Sequence, residues 1–306
     1  MSITRRFPAV PVIDGHHHFW ELSRFPYRWL APDSGPARFG AKDAIQRNYL
    51  PQDYLSDMTA IDLVGSVHVQ ANSGAADPVD ETRWLEKLAD QSGWPSAIIA
   101  EVDLLAPDAA VDIARHAIAS ARLRGIRTPV AWDEAGRWRV ASRANVLADA
   151  GFRKSARELA ARNLVLEMVV VPDQLPEVAE LARAMPALRI VINHFATLEP
   201  AVPGNADIWL EGIASIAQRQ NVFLKLSGLW TVDKSWSAKV LRPYVMHALA
   251  HLGPQRILYG SNLPVEGVNC SALQQFHSLE QILSDVPDAA IQAIFSGTAR
   301  NLYRLA

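Results

Sequence analysis

Ile13-Asp14-Gly15-His16-His17-His18 follows a short apolar run near the start of the chain. In an extended strand, alternate side chains lie on the same face. We therefore expect Asp14, His16 and His18 to share one face, with His17 pointing the other way. Two imidazoles at this spacing form a common half-site for zinc, and Asp14 would then orient one of them. The alternative is a hydrogen-bonded histidine pair that binds substrate or fills space.

The rest of the chain supplies seven more apolar runs rich in β-branched residues, separated by segments of helical spacing. This alternation is typical of βα units and a parallel sheet. A doubly wound open sheet would need a glycine-rich phosphate turn after its first strand, where this chain has three histidines. We therefore predict an α/β fold, a single-domain (β/α)8 TIM barrel over residues 1–306. The predicted strands are 11–18, 63–71, 97–103, 123–128, 164–171, 189–194, 222–227 and 256–261, and the clearest predicted helices are 80–90, 108–122, 152–162, 173–185 and 208–220.

Polar side chains lie at the end of every predicted strand. In a barrel, the carboxyl ends of all strands meet at one mouth, so these residues would form a single cluster. We expect His194 to join His16 and His18 as a catalytic residue or as the third histidine around a metal ion. The side chains at the strand ends are His16, His18, His68, Gln70, Glu101, Asp103, Arg127, Glu167, His194, Lys225, Ser227 and Asn262.

Four of these side chains are predicted to bind substrate. His68 and Gln70 share a face in a regular strand. We expect this face to line the pocket, because the opposite face carries only Val67, Val69 and Ala71. Arg127 and Lys225 are buried cations in this interpretation, and buried cations need anionic partners. They either pair with Glu167, Glu101 or Asp103 or hold a carboxylate of the substrate.

Asn262 is an exception at the end of the eighth predicted strand, where a barrel hydrolase usually has an aspartate as general base. An amide cannot take a proton from the attacking water. We expect Asn262 to position that water as a catalytic residue. The base would then be Glu266, His16, His18 or His194.

Residues 19–54 are long for a first βα connection and rich in aromatic residues. We interpret them as an elaborated loop over the barrel mouth, in which Trp20 and Tyr49 contact the substrate. The alternative is that these aromatic residues only pack on the side of the barrel. A second insertion, 129–150, would lie at the same face.

Composition narrows the range of partners. Lys and Arg number 30 against 32 Asp and Glu, giving a net charge of -2, so neither a nucleic acid nor an anionic membrane is expected. Cys270 is the single cysteine, which rules out an intrachain disulfide and fits a reducing cytoplasm. The apolar stretch 7–13 is too short for a secretion signal. A small-molecule substrate is the expected partner, and a homodimer is the assembly that we consider.

Several segments resemble one known family. They are Ile13 to Trp20, Tyr27-Arg28-Trp29-Leu30, Tyr49 to Tyr54, Val67 to Ala71, Gly125-Ile126-Arg127, Lys225 to Leu229, and Tyr259 to Val265. Together they resemble the amidohydrolase-related (amidohydrolase 2) TIM-barrel lactonases of the amidohydrolase superfamily, and the resemblance spans nearly the whole chain.

The resemblance implies a hydrolase that opens a lactone ring, either of a sugar acid or of a muconolactone or pyrone type. It implies one divalent metal ion, zinc, on His16, His18 and His194. It also allows a metal-independent reaction in which the histidines and a cationic cluster polarise the carbonyl. Asn262 stands where many members have aspartate, which weakens the metal site. A zinc-dependent nonoxidative decarboxylase of the same superfamily and a ligand-binding barrel with altered catalysis remain alternatives.

Overall fold

The computed structural model describes residues 7–35 and 37–306. Eight parallel strands form one sheet in the order β1 to β8. The barrel closes between its first and last strands, where the Asn262 amide donates to the His16 carbonyl (2.7 Å) and the His18 amide to the Leu263 carbonyl (2.8 Å). The predicted TIM barrel is confirmed. Residues 1–6, which precede the stretch used to argue against a secretion signal, lie outside the described residues.

The strands are shorter than predicted at most ends, because their last residues already turn into loops. They are β1 Val12–His17, β2 Leu63–Val69, β3 Ala97–Glu101, β4 Leu123–Arg127, β5 Val165–Met168, β6 Ile190–Ile192, β7 Val222–Leu226 and β8 Ile257–Tyr259.

Helices connect the strands and cover the outside of the barrel. The five predicted helices correspond to α2, α3, α4, α5 and α6 within three residues at each end. They are α1 Pro51–Asp57, α2 Val79–Ser92, α3 Ala109–Ala119, α4 Ala150–Ala161, α5 Leu175–Ala184, α6 Asn205–Ala217, α7 Leu229–Val232, α8 Ala238–Leu252, α9 Ala272–Ile282, α10 Asp288–Gln292 and α11 Thr298–Tyr303.

The barrel interior is filled by β-branched and aliphatic side chains, including Val67, Val69, Val165 and Leu258. The last helix, α11, packs against this cluster. Small and branched side chains from parallel strands fill such an interior without voids. The interior is therefore a packed core below the mouth, and polar groups are left for its upper layer.

A bulge in β1 changes which residues face the interior. Asp14 is paired with Ser66 but His17 with His68, so three steps in β1 match two in β2. A bulge of this kind shifts the alternation of side chains by one position. Asp14 and His17 consequently lie on the same outer face, where the Tyr54 hydroxyl of α1 donates to Asp14 (2.8 Å) and His17 stacks on the Tyr54 ring.

The expectation that Asp14 shares a face with His16 and His18 is wrong for this reason. Its carboxylate accepts hydrogen bonds from the amides of His16 (3.0 Å) and Ser261 (2.8 Å) and from the Ser261 hydroxyl (2.6 Å). These bonds join β1 to the end of β8. Asp14 stabilises the closure of the barrel, and none of its hydrogen bonds with the described residues goes to an imidazole nitrogen.

Within the described part of the chain, no helix is both long and apolar enough to cross a membrane.

Candidate active site

A cavity of about 280 Å³ lies at the carboxyl ends of the strands. Among the residues predicted to act there, five line it: His18, Gln70, Arg127, His194 and Asn262. The long first loop contributes further walls through Trp29, Arg38 and Phe39, and the insertion after β4 contributes Trp138. The cavity therefore combines a polar floor with largely aromatic and aliphatic walls.

Three histidines from two distant strand ends form one cluster at the base of this cavity. His18 and His194 line the cavity, and His16 lies fully buried beside them. The ring centroid of His16 lies 5.1 Å from that of His18 and 4.6 Å from that of His194. Burial lowers the pKa of all three below the usual value. Arg127 lowers the pKa of all three further, and Lys225 that of His16 and His194. The pKa of His194 falls to about 3. All three imidazoles are consequently neutral at pH 7.

Hydrogen bonds fix which nitrogen of two of these rings carries the proton. His18 Nδ1 lies 2.7 Å from the Val69 carbonyl, which can only accept, so the proton is on Nδ1 and Nε2 is left as an acceptor. His16 Nδ1 lies 3.5 Å from the Lys225 ammonium, which can only donate, so His16 carries its proton on Nε2. This Nε2 is buried without a hydrogen-bond partner among the described residues. His16 thus offers a free donor.

His194 reaches the cluster through unusual backbone geometry. It follows β6 and begins a run of four residues, His194–Thr197, with φ between 50° and 55°. Left-handed backbone costs non-glycine residues roughly 1 kcal/mol or more each. Gly228 accommodates the ring, because a Cβ at that position would lie 2.4 Å from His194 Nδ1. Strain of this kind is typical of functional sites.

Lys225 lies below the cluster and is fully buried. Its ammonium donates to Glu167 Oε2 at 2.5 Å, and Glu167 also accepts from Asn193 (2.9 Å) and from the Tyr303 hydroxyl (2.5 Å). Burial lowers the pKa of Lys225 to about 8, so it stays charged at pH 7. Of the two alternatives, the structure shows the ion pair with Glu167. Lys225 is not free to bind a substrate carboxylate, and its second contact is His16.

Arg127 and Gln70 stay at the cavity. The Arg127 guanidinium donates to the Gln70 carbonyl at 2.6 Å. Burial lowers the pKa of Arg127, and the nearby carboxyl groups of Glu167, Glu101 and Glu81 act in the opposite direction. Arg38, which sequence reasoning missed, is a second cation at the cavity and lies 4.9 Å above the Trp138 ring.

Three residues predicted to bind substrate lie elsewhere. His68 is on the outer face of β2, paired with His17, because its neighbours Val67 and Val69 point into the barrel interior. Trp20 is buried, and its indole donates to the Arg47 carbonyl at 2.7 Å. Tyr49 is also buried, with its hydroxyl on Asp57 at 2.7 Å. Trp20 and Tyr49 support the loop from behind, and none of the three lines the cavity described above.

Some of the cavity residues that were not predicted could have been found from the sequence, and others could not. Trp29, Phe39 and Trp138 belong to the aromatic loops that the sequence placed at the mouth, so loop position and residue type could have selected them. Arg38 and Thr231 carried no sequence signal, because neither lies at the end of a predicted strand.

Asn262 lies in the loop that follows β8 and has a left-handed conformation (φ 53°), which Asn tolerates better than most residues. Its amide nitrogen lies 3.0 Å from Thr231 Oγ1 and 3.3 Å from Glu266 Oε2. Because the nitrogen is engaged, the amide oxygen is the atom that Asn262 can offer in the cavity. It can accept a hydrogen bond from water but not a proton.

The residues present do not fit a bound zinc ion. The described residues contain no group of three or more His, Cys, Asp or Glu side chains arranged to hold a metal. The end of β8 supplies an amide in place of a carboxylate, and two cations already surround the histidines. We assign no reaction step to a metal ion.

Comparisons with known proteins agree with this architecture. A y4mH protein of Sinorhizobium fredii is 30% identical over 296 residues, covering 97% of this chain and 99% of that protein. An L-fucono-1,5-lactonase of Burkholderia ambifaria is 32% identical over 256 residues, which cover 83% of this chain and 80% of the relative.

Solved structures are similar over the same length. An amidohydrolase of Burkholderia multivorans, crystallised with bound zinc, has a TM-score of 0.78 and 28% identity, covering 97% of this chain and all 100% of its own. The same protein crystallised with bound HEPES has a TM-score of 0.79. A sequence model of the amidohydrolase family matches residues 13–305. The chain therefore belongs to the amidohydrolase family.

Proposed function

We propose that this protein opens a lactone ring by adding water to the ring carbonyl. The observation that carries the proposal is the neutral histidine cluster at the cavity floor, in which the buried Nε2–H of His16 has no partner among the described residues. A donor held in a dry site stabilises the negative charge that develops on a carbonyl oxygen under attack. The L-fucono-1,5-lactonases among the relatives support a lactone as the substrate class.

His16 is the electrophile in this reaction. Its Nε2–H would donate to the carbonyl oxygen, and the Lys225 ammonium, 3.5 Å from the other ring nitrogen, would stabilise the charge that the ring then shares. Because Glu167 holds Lys225 in place, this cation is oriented before the substrate binds. Such preorganised groups need no rearrangement in the transition state.

Water would be held by acceptors on the other side of the carbonyl. The amide oxygen of Asn262 and Nε2 of His18 are both acceptors at the cavity. The water oxygen forms a bond to the carbonyl carbon, the ring C–O bond breaks, and the ring oxygen takes up a proton. The product is an open hydroxy acid.

The walls narrow the substrate class. The cationic side chains of Arg127 and Arg38 line a cavity that also contains the rings of Trp29 and Phe39. This combination favours a lactone that carries an anionic group together with a flat or apolar portion. Both sugar-acid lactones and unsaturated muconolactone or pyrone-type lactones remain candidates within the proposal.

The test is to assay a panel of both lactone types. Hydrolysis of each lactone is monitored by the acid that it releases at constant pH. We expect turnover of at least one lactone, and a loss of roughly 100-fold or more in kcat for His16→Phe, since removal of one such donor costs about that much. The exposed His277 provides a matched control, and His277→Phe should keep the wild-type rate. A protein that opens no lactone, or that instead releases carbon dioxide from aromatic acids, would overturn the proposal.

A further inference from the structure

Glu266 is a buried carboxylate next to the cavity, and the mechanism above does not use it. It lies just after β8 and is 1% exposed. One oxygen accepts from the Trp230 amide at 2.7 Å. The other accepts from the Thr231 amide at 3.1 Å, from the Asn262 side chain at 3.3 Å and from the Thr231 hydroxyl.

Thr231 connects this carboxylate to the cavity. It belongs to α7 and lines the cavity together with Asn262. Its hydroxyl donates to Glu266 and accepts from the Asn262 amide nitrogen. A hydroxyl with a carboxylate on one side and the cavity on the other can pass a proton between them, because it is both a donor and an acceptor.

The surroundings of Glu266 make it a better base than any histidine of the cluster. Burial raises its pKa to about 7, although its hydrogen bonds with Thr231, Trp230 and Asn262 act in the opposite direction. The titratable groups that face it are Tyr259 and Cys270, and both are neutral at pH 7 because burial raises their pKa. A general base works best when its pKa lies near the working pH. The histidines, with pKa values far below 7, are poor bases by comparison.

We propose that Glu266 accepts the proton of the attacking water through the hydroxyl of Thr231. This inference rests on the proposed lactone opening. As the water oxygen bonds to the carbonyl carbon, its proton passes to Thr231 Oγ1 while the Thr231 hydroxyl proton passes to Glu266. When the ring C–O bond breaks, the same two transfers in reverse return the proton to the ring oxygen. Glu266 thus regains its charge, and it supplies the base that Asn262 cannot be.

The test compares two substitutions of Thr231 by the pH dependence of kcat/KM, which reports the ionisation of groups in the free enzyme. In the wild type, we expect kcat/KM to fall about tenfold per pH unit below pH 7, because protonated Glu266 accepts no further proton. Thr231→Val keeps the shape but removes the hydroxyl, so the rate should fall roughly 100-fold and the acidic limb should disappear. Thr231→Ser, which restores a hydroxyl, should restore most of the rate and the acidic limb.

Glu266→Gln provides a second route to the same result, with its folding checked by circular dichroism. It should lose the acidic limb as Thr231→Val does. A wild-type rate and pH profile in Thr231→Val would overturn the relay and leave lactone opening intact. If the wild-type protein opens no lactone, both proposals fail, so the two failures are distinguishable.

Discussion

The ammonium of Lys225 lies 3.5 Å from Nδ1 of His16, and a donor in this position leaves the ring proton on Nε2. This contact links a buried ion pair to the floor of the cavity, because the same ammonium donates to Glu167. The strength of the candidate electrophile therefore depends on a carboxylate that the substrate never touches.

Lys225→Met should destabilise the protein strongly. Glu167 would be left charged and fully buried, and breaking one side of a buried pair costs about 3–5 kcal/mol. The double substitution Lys225→Met with Glu167→Gln removes both charges and should recover most of this loss. Urea unfolding of the wild type and both variants measures the difference. Equal stability of the single and double variants would contradict the ion pair.

Asn262→Asp should reduce activity and not raise it. The new carboxylate would stand where the amide nitrogen now lies, 3.3 Å from Glu266 Oε2, and two carboxylates at this distance do not both ionise. They would share one proton, and such a pair accepts a further proton less readily than a single ionised Glu266 does. We expect at least a tenfold fall in kcat/KM at pH 7.

A gain in activity from Asn262→Asp would show instead that the chain has lost a catalytic aspartate.

Asn262→Asp should also change how the free energy of unfolding depends on pH. Because the added acid is protonated in the folded state at pH values where it would ionise when unfolded, the variant should lose stability relative to the wild type as the pH rises from 5 to 8.

Gly228→Ala should impair the site by displacing His194. Its new Cβ would lie 2.4 Å from Nδ1 of the ring, and its φ is +66°. Gly204 is a matched control, since it has φ +77° but nothing within 4 Å of a Cβ. Gly204→Ala should cost about 1 kcal/mol from backbone strain alone, with wild-type kcat/KM. Gly228→Ala should lose roughly tenfold or more in kcat/KM, measured on the same lactone.

Glu81 should make stability fall as the pH rises. Its side chain is buried in α2 and accepts from the Ala71 amide at 3.1 Å, and burial raises its pKa from 4.5 to about 8. The folded state therefore holds a proton that the unfolded state releases between these values, so stability is lost as the pH increases through this window.

Glu81→Gln keeps an oxygen acceptor and has no charge to bury. It should be more stable than the wild type at pH 8 by roughly 2–4 kcal/mol, with little difference at pH 4.5. Chemical unfolding at both pH values tests this. A constant difference between the two proteins across the range would contradict the raised pKa.

The barrel was predictable because its strands are short apolar runs, and the convergence of their ends follows from topology alone. His16, His18 and His194 could be brought together in this way, as could Asn262 with the cavity. The position of Asp14 could not, because the bulge in β1 shifts the alternation, and no residue pattern in the sequence marks it. The position of His68 could not either, because the face of β2 that carries Val67 and Val69 is the one that fills the interior. The prediction assumed that β1 is a regular strand, and this assumption is wrong.

The sequence could not predict the ion-pair partner of Lys225 or which side chains of the first loop line the cavity. It left open whether Lys225 binds a protein carboxylate or a substrate, and only the distance to Glu167 decides this. Aromatic composition placed the first loop at the mouth, but it could not separate Trp29, which lines the cavity, from Trp20, which packs behind it. Residues 19–54 contain too little regular period to show which side chains turn inward.

Metal dependence of lactone opening tests the account most directly, because the histidines are assigned here as a neutral donor and acceptor cluster. The measurement is kcat/KM on the best lactone of the panel, before and after exhaustive chelation, with the metal content of the same samples. We expect the chelated protein to keep its rate within about twofold and to contain no stoichiometric metal. Loss of the rate on chelation, with recovery on one equivalent of zinc, would contradict the account.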